Sequence, residues 1–318
     1  MNTIPLIDVS AALGADGPGK DRLVELFRDT YSEIGFAYVT GHGIDPALVK
    51  AVFAASIGFH ALPDPQKSAI KVDKNHRGYI AINTSTDVNS KLAEVKKPNQ
   101  SASFMMMRED AVADPQVYLS GPNQWPKMSG FRQALEAYND AMSRLASHLM
   151  AIAARAAGGD PADVMPAFSQ PTTWLRLLHY PPVPQDSPDD LYGSAPHTDF
   201  GCLTLLAQDP VGGLQVMAAN GDWLDAPYCE GTFVLNVGDI LHRLSNGRLR
   251  ATPHRVVNRS GRERYSVPFF YDPHVSAVIS PLPGAGEPQF EPIQFGEFLR
   301  AELEAGYDAH KPKPASGA

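Results

Sequence analysis

Residues 196–209 are PHTDFGCLTLLAQD, a polar opening that runs straight into a β-prone segment. A histidine and an aspartate, His197 and Asp199, stand two apart just ahead of an apolar run. Successive side chains of a strand point to opposite faces, so residues two apart share a side. If the segment is extended, His197 and Asp199 face together, and Thr198 and Phe200 turn away. Such a pair by itself is common at structural and surface positions and gains meaning only from its surroundings.

Those surroundings are β-prone. TTWLRLLHY (172–180), CLTLLAQD (202–209), LQVMAA (214–219), GTFVLNVGD (231–239), HRVVN (254–258) and RYSVPFFYD (264–272) are short runs separated by Gly, Pro, Asn and Asp. Many short strands with turn signals between them predict an all-β sandwich, jelly roll or barrel. Upstream the period is helical. Leu23, Leu26, Phe27, Tyr31 and Ile34 predict a helix, and the period changes at Gly35 into a strand over 36–39. A second helix is predicted from Pro46 to about Ala61, before Pro63 and Pro65. Phe131, Leu135, Tyr138, Met142, Leu145, Leu149 and Ile152 then draw an apolar stripe along a long helix between Gly130 and Ala157. Residues 71–127 read as binding loops and short strands. FGEFLRAELEAGY (295–307) reads as a closing helix and KPKPASGA (311–318) as a disordered tail.

Composition narrows the partners. Hydrophobic residues are 43% of 318, enough for a sizeable core. Lys and Arg total 27 against 35 Asp and Glu, and the net charge of -8 disfavours nucleic acid or an anionic membrane as partner. A small-molecule partner, a monomer and a cytoplasmic location are expected. The N-terminus lacks signal-peptide features, and no apolar run approaches the ~20 residues of a membrane helix. Cys202 and Cys229 are too few for a disulfide framework.

A third candidate completes the opening pair. His254, in TPHRVVN, begins another β-like run, and two histidines with one carboxylate make the facial triad of non-haem Fe(II). Further on, Arg264 and Ser266 are again two apart in RYSVPFF, and an arginine with a hydroxyl beside it can grip a carboxylate. A surface ion pair is the plainer reading of that arginine.

Together these motifs resemble the isopenicillin N synthase-like branch of the Fe(II)/2-oxoglutarate-dependent oxygenases. IPLIDVS, GFAYVTGHGI, HYPPVP, HTDFGCLTLLAQDPVGGLQV, GDWLDAP, VLNVGDILHRLSNGRLRATPHRVV and RYSVPFF stand in the family order over nearly the whole chain. The resemblance implies a mainly β protein with flanking helices. Its core would be a double-stranded β-helix, or jelly roll, with a long buttressing helix and a helical N-terminal region. Residues 1–127 would carry helices and substrate-pocket loops, 128–171 the buttressing helix, 172–280 the oxygenase core, and 281–318 the closing helix and tail, all in one unit.

By motif, the resemblance makes His197, Asp199 and His254 the iron ligands, and makes Arg264 and Ser266 the grip on the distal carboxylate of 2-oxoglutarate. Tyr180 matches a family tyrosine near co-substrate or substrate, but Leu178 stands where many plant members carry asparagine. The Arg264 strand is expected to run beside the one bearing His254. His42, His179 and His242 read as structural, Asn236, Gly238 and Asp239 as turn chemistry, and Met105 to Met107 as core filling. Arg77, Tyr79 and Phe104 are candidate substrate contacts.

The implied reaction consumes 2-oxoglutarate and O2 on Fe(II), releases succinate and CO2, and hydroxylates, desaturates or cyclises a small molecule. An Fe(II)/O2 oxidase of the isopenicillin N synthase type is the rival within the fold. A non-catalytic jelly-roll module binding a carboxylate is the rival outside it, and it has no need of three metal ligands. A zinc hydrolase could use the triad but would not need Arg264 and Ser266.

Overall fold

The computed structural model describes residues 3–87, 95–184, 186–307 and 310. The N-terminal part runs β1 (Leu6–Asp8), α1 (Pro18–Glu33), β2 (Phe36–Thr40), α2 (Pro46–His60), α3 (Asp64–Ser68), β3 (Gly78–Ile80) and β4 (Ala102–Met107). The long helix α4 (Phe131–Ala156) and a short α5 (Pro161–Val164) lead into β5 (Thr172–Tyr180). Then come β6 (Ser194–His197), β7 (Leu203–Gln208), β8 (Leu214–Met217), β9 (Trp223–Asp225), β10 (Phe233–Val237) and α6 (Asp239–Leu244). The chain continues through β11 (His254–Val256), β12 (Arg264–Asp272), β13 (Val278–Ile279), β14 (Ile293–Gln294) and α7 (Phe295–Gly306). The tail read at 311–318 lies outside the described residues.

Two sheets form the core of a jelly roll. The major sheet has the order β1-β2-β10-β7-β12-β5-β4-β3, and the minor sheet the order β6-β11-β8-β9. The N-terminal region, expected to carry helices, pocket loops and short strands, supplies four of the eight major strands. The reason is edge protection: β2 pairs with β10, and β4 with β5, so open backbone edges of the core are covered.

Alternation along the strands sorts the two faces. From β12, Val267, Phe269 and Tyr271 join the large core under the helices, as do Leu203, Leu205 and Ala207 of β7 and Leu175 and Leu177 of β5. Their neighbours Ser266, Pro268, Phe270, Thr204, Leu206, Arg176 and Leu178 line a cavity between the sheets. Helix α4 packs on β5, β7 and β12 through the stripe read from the sequence, and all seven of its residues are at most 2% exposed. Each fully buried Leu, Ile or Phe there contributes about 1.5–3 kcal/mol relative to exposure, so the stripe anchors the sheet that carries the cavity.

One expected adjacency is absent. β12 pairs with β5 and β7 in the major sheet, whereas β11 pairs with β6 and β8 in the minor one. The Arg264 strand therefore faces the His254 strand across the cavity instead of lying beside it. The seven residues between β11 and β12 carry the chain from one sheet to the other. Among the described residues, no helix is long and apolar enough to cross a membrane.

Candidate active site

The cavity has a volume of about 120 Å³ and draws its walls from both sheets. His197 ends β6 and His254 begins β11, and the two are direct cross-strand partners. Asp199 lies just past the end of β6, in the turn toward β7. His197 Nε2 and His254 Nε2 each lie 3.7 Å from Asp199 Oδ1. One ligand atom from each of the three side chains falls within 4.8 Å of the others, as a single metal ion requires.

Each imidazole is oriented from behind. His197 Nδ1 is 2.7 Å from the Ala195 carbonyl, and His254 Nδ1 is 3.3 Å from that of Thr252. A proton on Nδ1 satisfies the carbonyl and leaves the Nε2 lone pair aimed at the triad centre. Burial, then the neighbouring His197, lowers the His254 pKa to about 4, so its lone pair is available at neutral pH. Burial raises the Asp199 carboxyl, but His254, His197 and hydrogen bonds from Asn236 and Thr204 outweigh it, and the net shift is downward.

Those hydrogen bonds are the part that sequence reasoning missed. Asn236, read as turn chemistry, is on β10, where its Nδ2 donates to Asp199 Oδ2 at 2.7 Å. Thr204 Oγ1 donates to the same oxygen at 2.5 Å. Both are buried, and both occupy Oδ2 while Oδ1 faces the histidines. The turn is equally confined. A Cβ on Gly201 would sit 1.6 Å from Asp272 Oδ1, and one on Gly238 would sit 2.4 Å from the Gly201 carbonyl. Asp272 accepts from the Cys202 amide at 2.7 Å, and burial lifts its carboxyl to about 7. Asn236→Ala should weaken Fe(II) binding roughly ten- to a hundredfold, as lost outer partners of metal ligands do. Iron titration of the folded variant reads this; unchanged affinity would show that the clamp is ornamental.

Across the cavity, Arg264 is 1% exposed. Its Nε donates to the Gly212 carbonyl at 2.6 Å, its Nη1 to Ser266 Oγ at 3.2 Å, and Tyr180 packs its ring 4.5 Å from the guanidinium carbon. Its Nη2 is buried with no hydrogen-bond partner. A buried charge with one unsatisfied donor is costly unless an anion completes it. The donor set therefore fits a carboxylate arriving from the cavity. Leu178, in the family's asparagine position, pairs with Ser266 across β5 and β12 and lines the cavity as an apolar wall.

The structure does not bring Arg77, Tyr79 and Phe104 to this cavity. Arg77 gives Nη1 to the carbonyls of Asn75 and Leu119 and Nη2 to that of Arg108, so its guanidinium holds loops together. Tyr79 stacks edgewise on Phe59, and Phe104 packs among Phe59, Trp125 and Phe131. Strand alternation explains the miss: Phe104 faces the helices, and its neighbour Met105 lines the cavity. Three histidines read as structural from the sequence lie outside the cavity. His42 accepts from the Ile44 amide, His179 pairs with Glu263, and His242 contacts the Leu249 carbonyl.

A jelly roll with a two-histidine, one-carboxylate centre facing a buried arginine and serine defines the non-haem iron oxygenase class. Residues 171–273 match the 2OG-Fe(II) oxygenase superfamily, and residues 4–128 match the N-terminal region described as non-haem dioxygenase in morphine synthesis. The 2-oxoglutarate-Fe(II) type oxidoreductase hxnY of Emericella nidulans is 37% identical, with 99% of this chain and 94% of that one covered. The homoarginine-6-hydroxylase 2-ODD-C23 of Glycine max is 32% identical over 95% and 97% of the two chains. A full-length Neurospora crassa protein, crystallised in complex with alpha-KG (2-oxoglutarate) and thymine, superposes with a TM-score of 0.83 at 30% identity, covering 95% of this chain and 96% of that one. The chain belongs to the 2-oxoglutarate/Fe(II) oxygenase superfamily. It is a 2-oxoglutarate-dependent dioxygenase whose cofactor is Fe(II) and whose co-substrates are 2-oxoglutarate and O2.

Proposed function

We propose that the protein hydroxylates a small molecule, with His197, Asp199 and His254 holding the iron and Arg264 and Ser266 holding the distal carboxylate of 2-oxoglutarate. One observation carries the assignment of residues: the cavity that gathers the triad also contains the unpaired Nη2 of a buried arginine. The solved Neurospora crassa relative binds small molecules in company with alpha-KG, thymine in one structure and 5-formyluracil in another, which supports a substrate of that size.

The chain's own residues would then divide the work. The carbonyls of Ala195 and Thr252 keep each imidazole turned with Nε2 inward. Asn236 and Thr204 reserve Oδ2 of Asp199 and leave Oδ1 for the metal. Arg264, fixed by Gly212 and backed by Tyr180, neutralises the far carboxylate and sets the co-substrate's direction. Leu178, Leu206, Leu214 and Val256 wall the cavity with hydrocarbon, which excludes water and strengthens the charged contacts. When bound, iron and 2-oxoglutarate supply the oxidation: O2 is consumed, succinate and CO2 leave, and a substrate C–H becomes C–OH.

The test is a substrate screen with Fe(II), 2-oxoglutarate and O2, reading succinate and product mass together. One succinate per added oxygen atom is the expected stoichiometry. Product formed equally fast without 2-oxoglutarate would overturn the assignment of Arg264 and Ser266.

A further inference from the structure

The cavity contains a second arginine that the co-substrate does not need. Arg176 lies on β5 in the same phase as Tyr180, four residues earlier, so its side chain also enters the cavity. At about 3.3 Å per residue this places it about 13 Å along the strand from Tyr180. Tyr180 is the cross-strand partner of Arg264. The two arginines thus mark opposite ends of one chamber.

Among the described residues, the side-chain hydrogen bonds of Arg176 go to hydroxyl groups and not to a carboxylate. Its Nε donates to Ser103 Oγ at 2.9 Å, and its Nη1 reaches the Tyr307 hydroxyl at a long 3.4 Å. Both partners are neutral. Beside it, His76 is wholly buried and lines the same cavity, with its Nδ1 2.9 Å from His310 and its Nε2 unpartnered. Burial, followed by His310, Arg176 and Arg77, holds the His76 imidazole well below its ordinary pKa. Its φ of 59° is a conformation that a residue with a side chain adopts only at a cost, and such strain collects at functional positions. The ring of His76 packs edge-on against Trp174 at 5.3 Å and Tyr307 at 4.6 Å, and Phe270 completes an aromatic wall.

We propose that Arg176, with His76 beside it, is the substrate-recognition pair, and that it selects a small flat molecule bearing a carboxylate or a ring carbonyl. The inference rests on the oxygenase reading above and assigns the substrate class of that same cavity. The planar guanidinium matches planar oxygen acceptors with two parallel hydrogen bonds. Aromatic side chains favour stacked or edge contacts with a flat ring. A substrate anchored at Arg176 projects its far side toward the triad, while Arg264 remains free for 2-oxoglutarate.

Two probes separate the two acceptor chemistries: benzoate, a flat carboxylate, and hydantoin, a flat ring with carbonyls and N–H groups. Each is titrated anaerobically into the full-length Fe(II) protein, with and without 2-oxoglutarate. Binding is read from tryptophan fluorescence, because Trp174 lines the chamber. At least one probe should bind, and Arg176→Met should weaken it roughly ten- to a hundredfold, the worth of a charged hydrogen bond. The dissociation constant for 2-oxoglutarate should not move. Arg176→Lys keeps the charge, loses the planar geometry and should fall between, which keeps the test decisive if the methionine variant folds poorly. Binding by Arg176→Met equal to wild type, or no binding of either probe to a wild-type protein that binds 2-oxoglutarate, would overturn the pair. Wild-type protein that takes up a probe but never binds 2-oxoglutarate would instead sink the oxygenase reading and leave the pair standing.

Discussion

His197→Ala and His254→Ala should each abolish Fe(II)-dependent turnover while leaving the far-UV circular dichroism close to wild type. Both imidazoles sit at the ends of short minor-sheet strands, are only partly buried, and make one hydrogen bond each, to a carbonyl. The fold loses little with them. Under the proposed assignment the metal would lose a third of its protein ligands, and Asp199 with one imidazole would not hold it in place. Metal-ion stabilisation of a reaction amounts to several kcal/mol, and each 1.36 kcal/mol is tenfold, so the rate should fall by roughly a thousandfold or more. Asp199→Ala should be as inactive but less well folded, because Asn236 and Thr204 would face an empty space with unpaired donors. Metal analysis of the purified variants, alongside succinate release, checks all three. Full activity in the His254→Ala protein would refute the triad.

Arg264→Ala should raise the apparent KM for 2-oxoglutarate roughly ten- to a hundredfold, since a hydrogen bond to a charged group contributes about 1.5–3 kcal/mol. Ser266→Ala should raise it only a few-fold, because the hydroxyl carries no charge, its oxygen already accepts from Arg264, and a single O–H is left to donate. Iron content should stay at wild-type level in both, because β12 lies across the cavity from the ligands and neither side chain touches them. The structure sharpens this expectation. Arg264 is already locked by Gly212, Ser266 and the Tyr180 ring, so the anion meets a rigid guanidinium and little ordering is required. An unchanged KM in Arg264→Ala would mean that the unpaired Nη2 serves some other anion.

Local pattern carried much of this. The stripe on α4 was legible because 3.6-residue periodicity depends on nothing beyond its own helix, and every stripe residue is buried. Same-face pairs such as Arg264 and Ser266 followed from the period of two, which is equally local. That rule also held the clue to Arg176: Trp174, Arg176, Leu178 and Tyr180 share one phase of TTWLRLLHY, and all four line the cavity. Phe104 was misplaced because its chemistry outweighed its phase, and Arg77 because a lone arginine in a loop-rich segment gives no sign of which carbonyls will surround it.

Element types, family motifs and the candidate ligands for metal and carboxylate are legible along the chain, since propensity, periodicity and donor chemistry belong to residues and their near neighbours. Which of them meet is a matter of three-dimensional packing. Asn236 is 37 positions from the aspartate it holds, and β11 and β12, nearly adjacent in the chain, lie on opposite walls. Such meetings are settled by which sheet each strand joins, a choice made by the burial and hydrogen bonding of the whole assembly and not by any single segment.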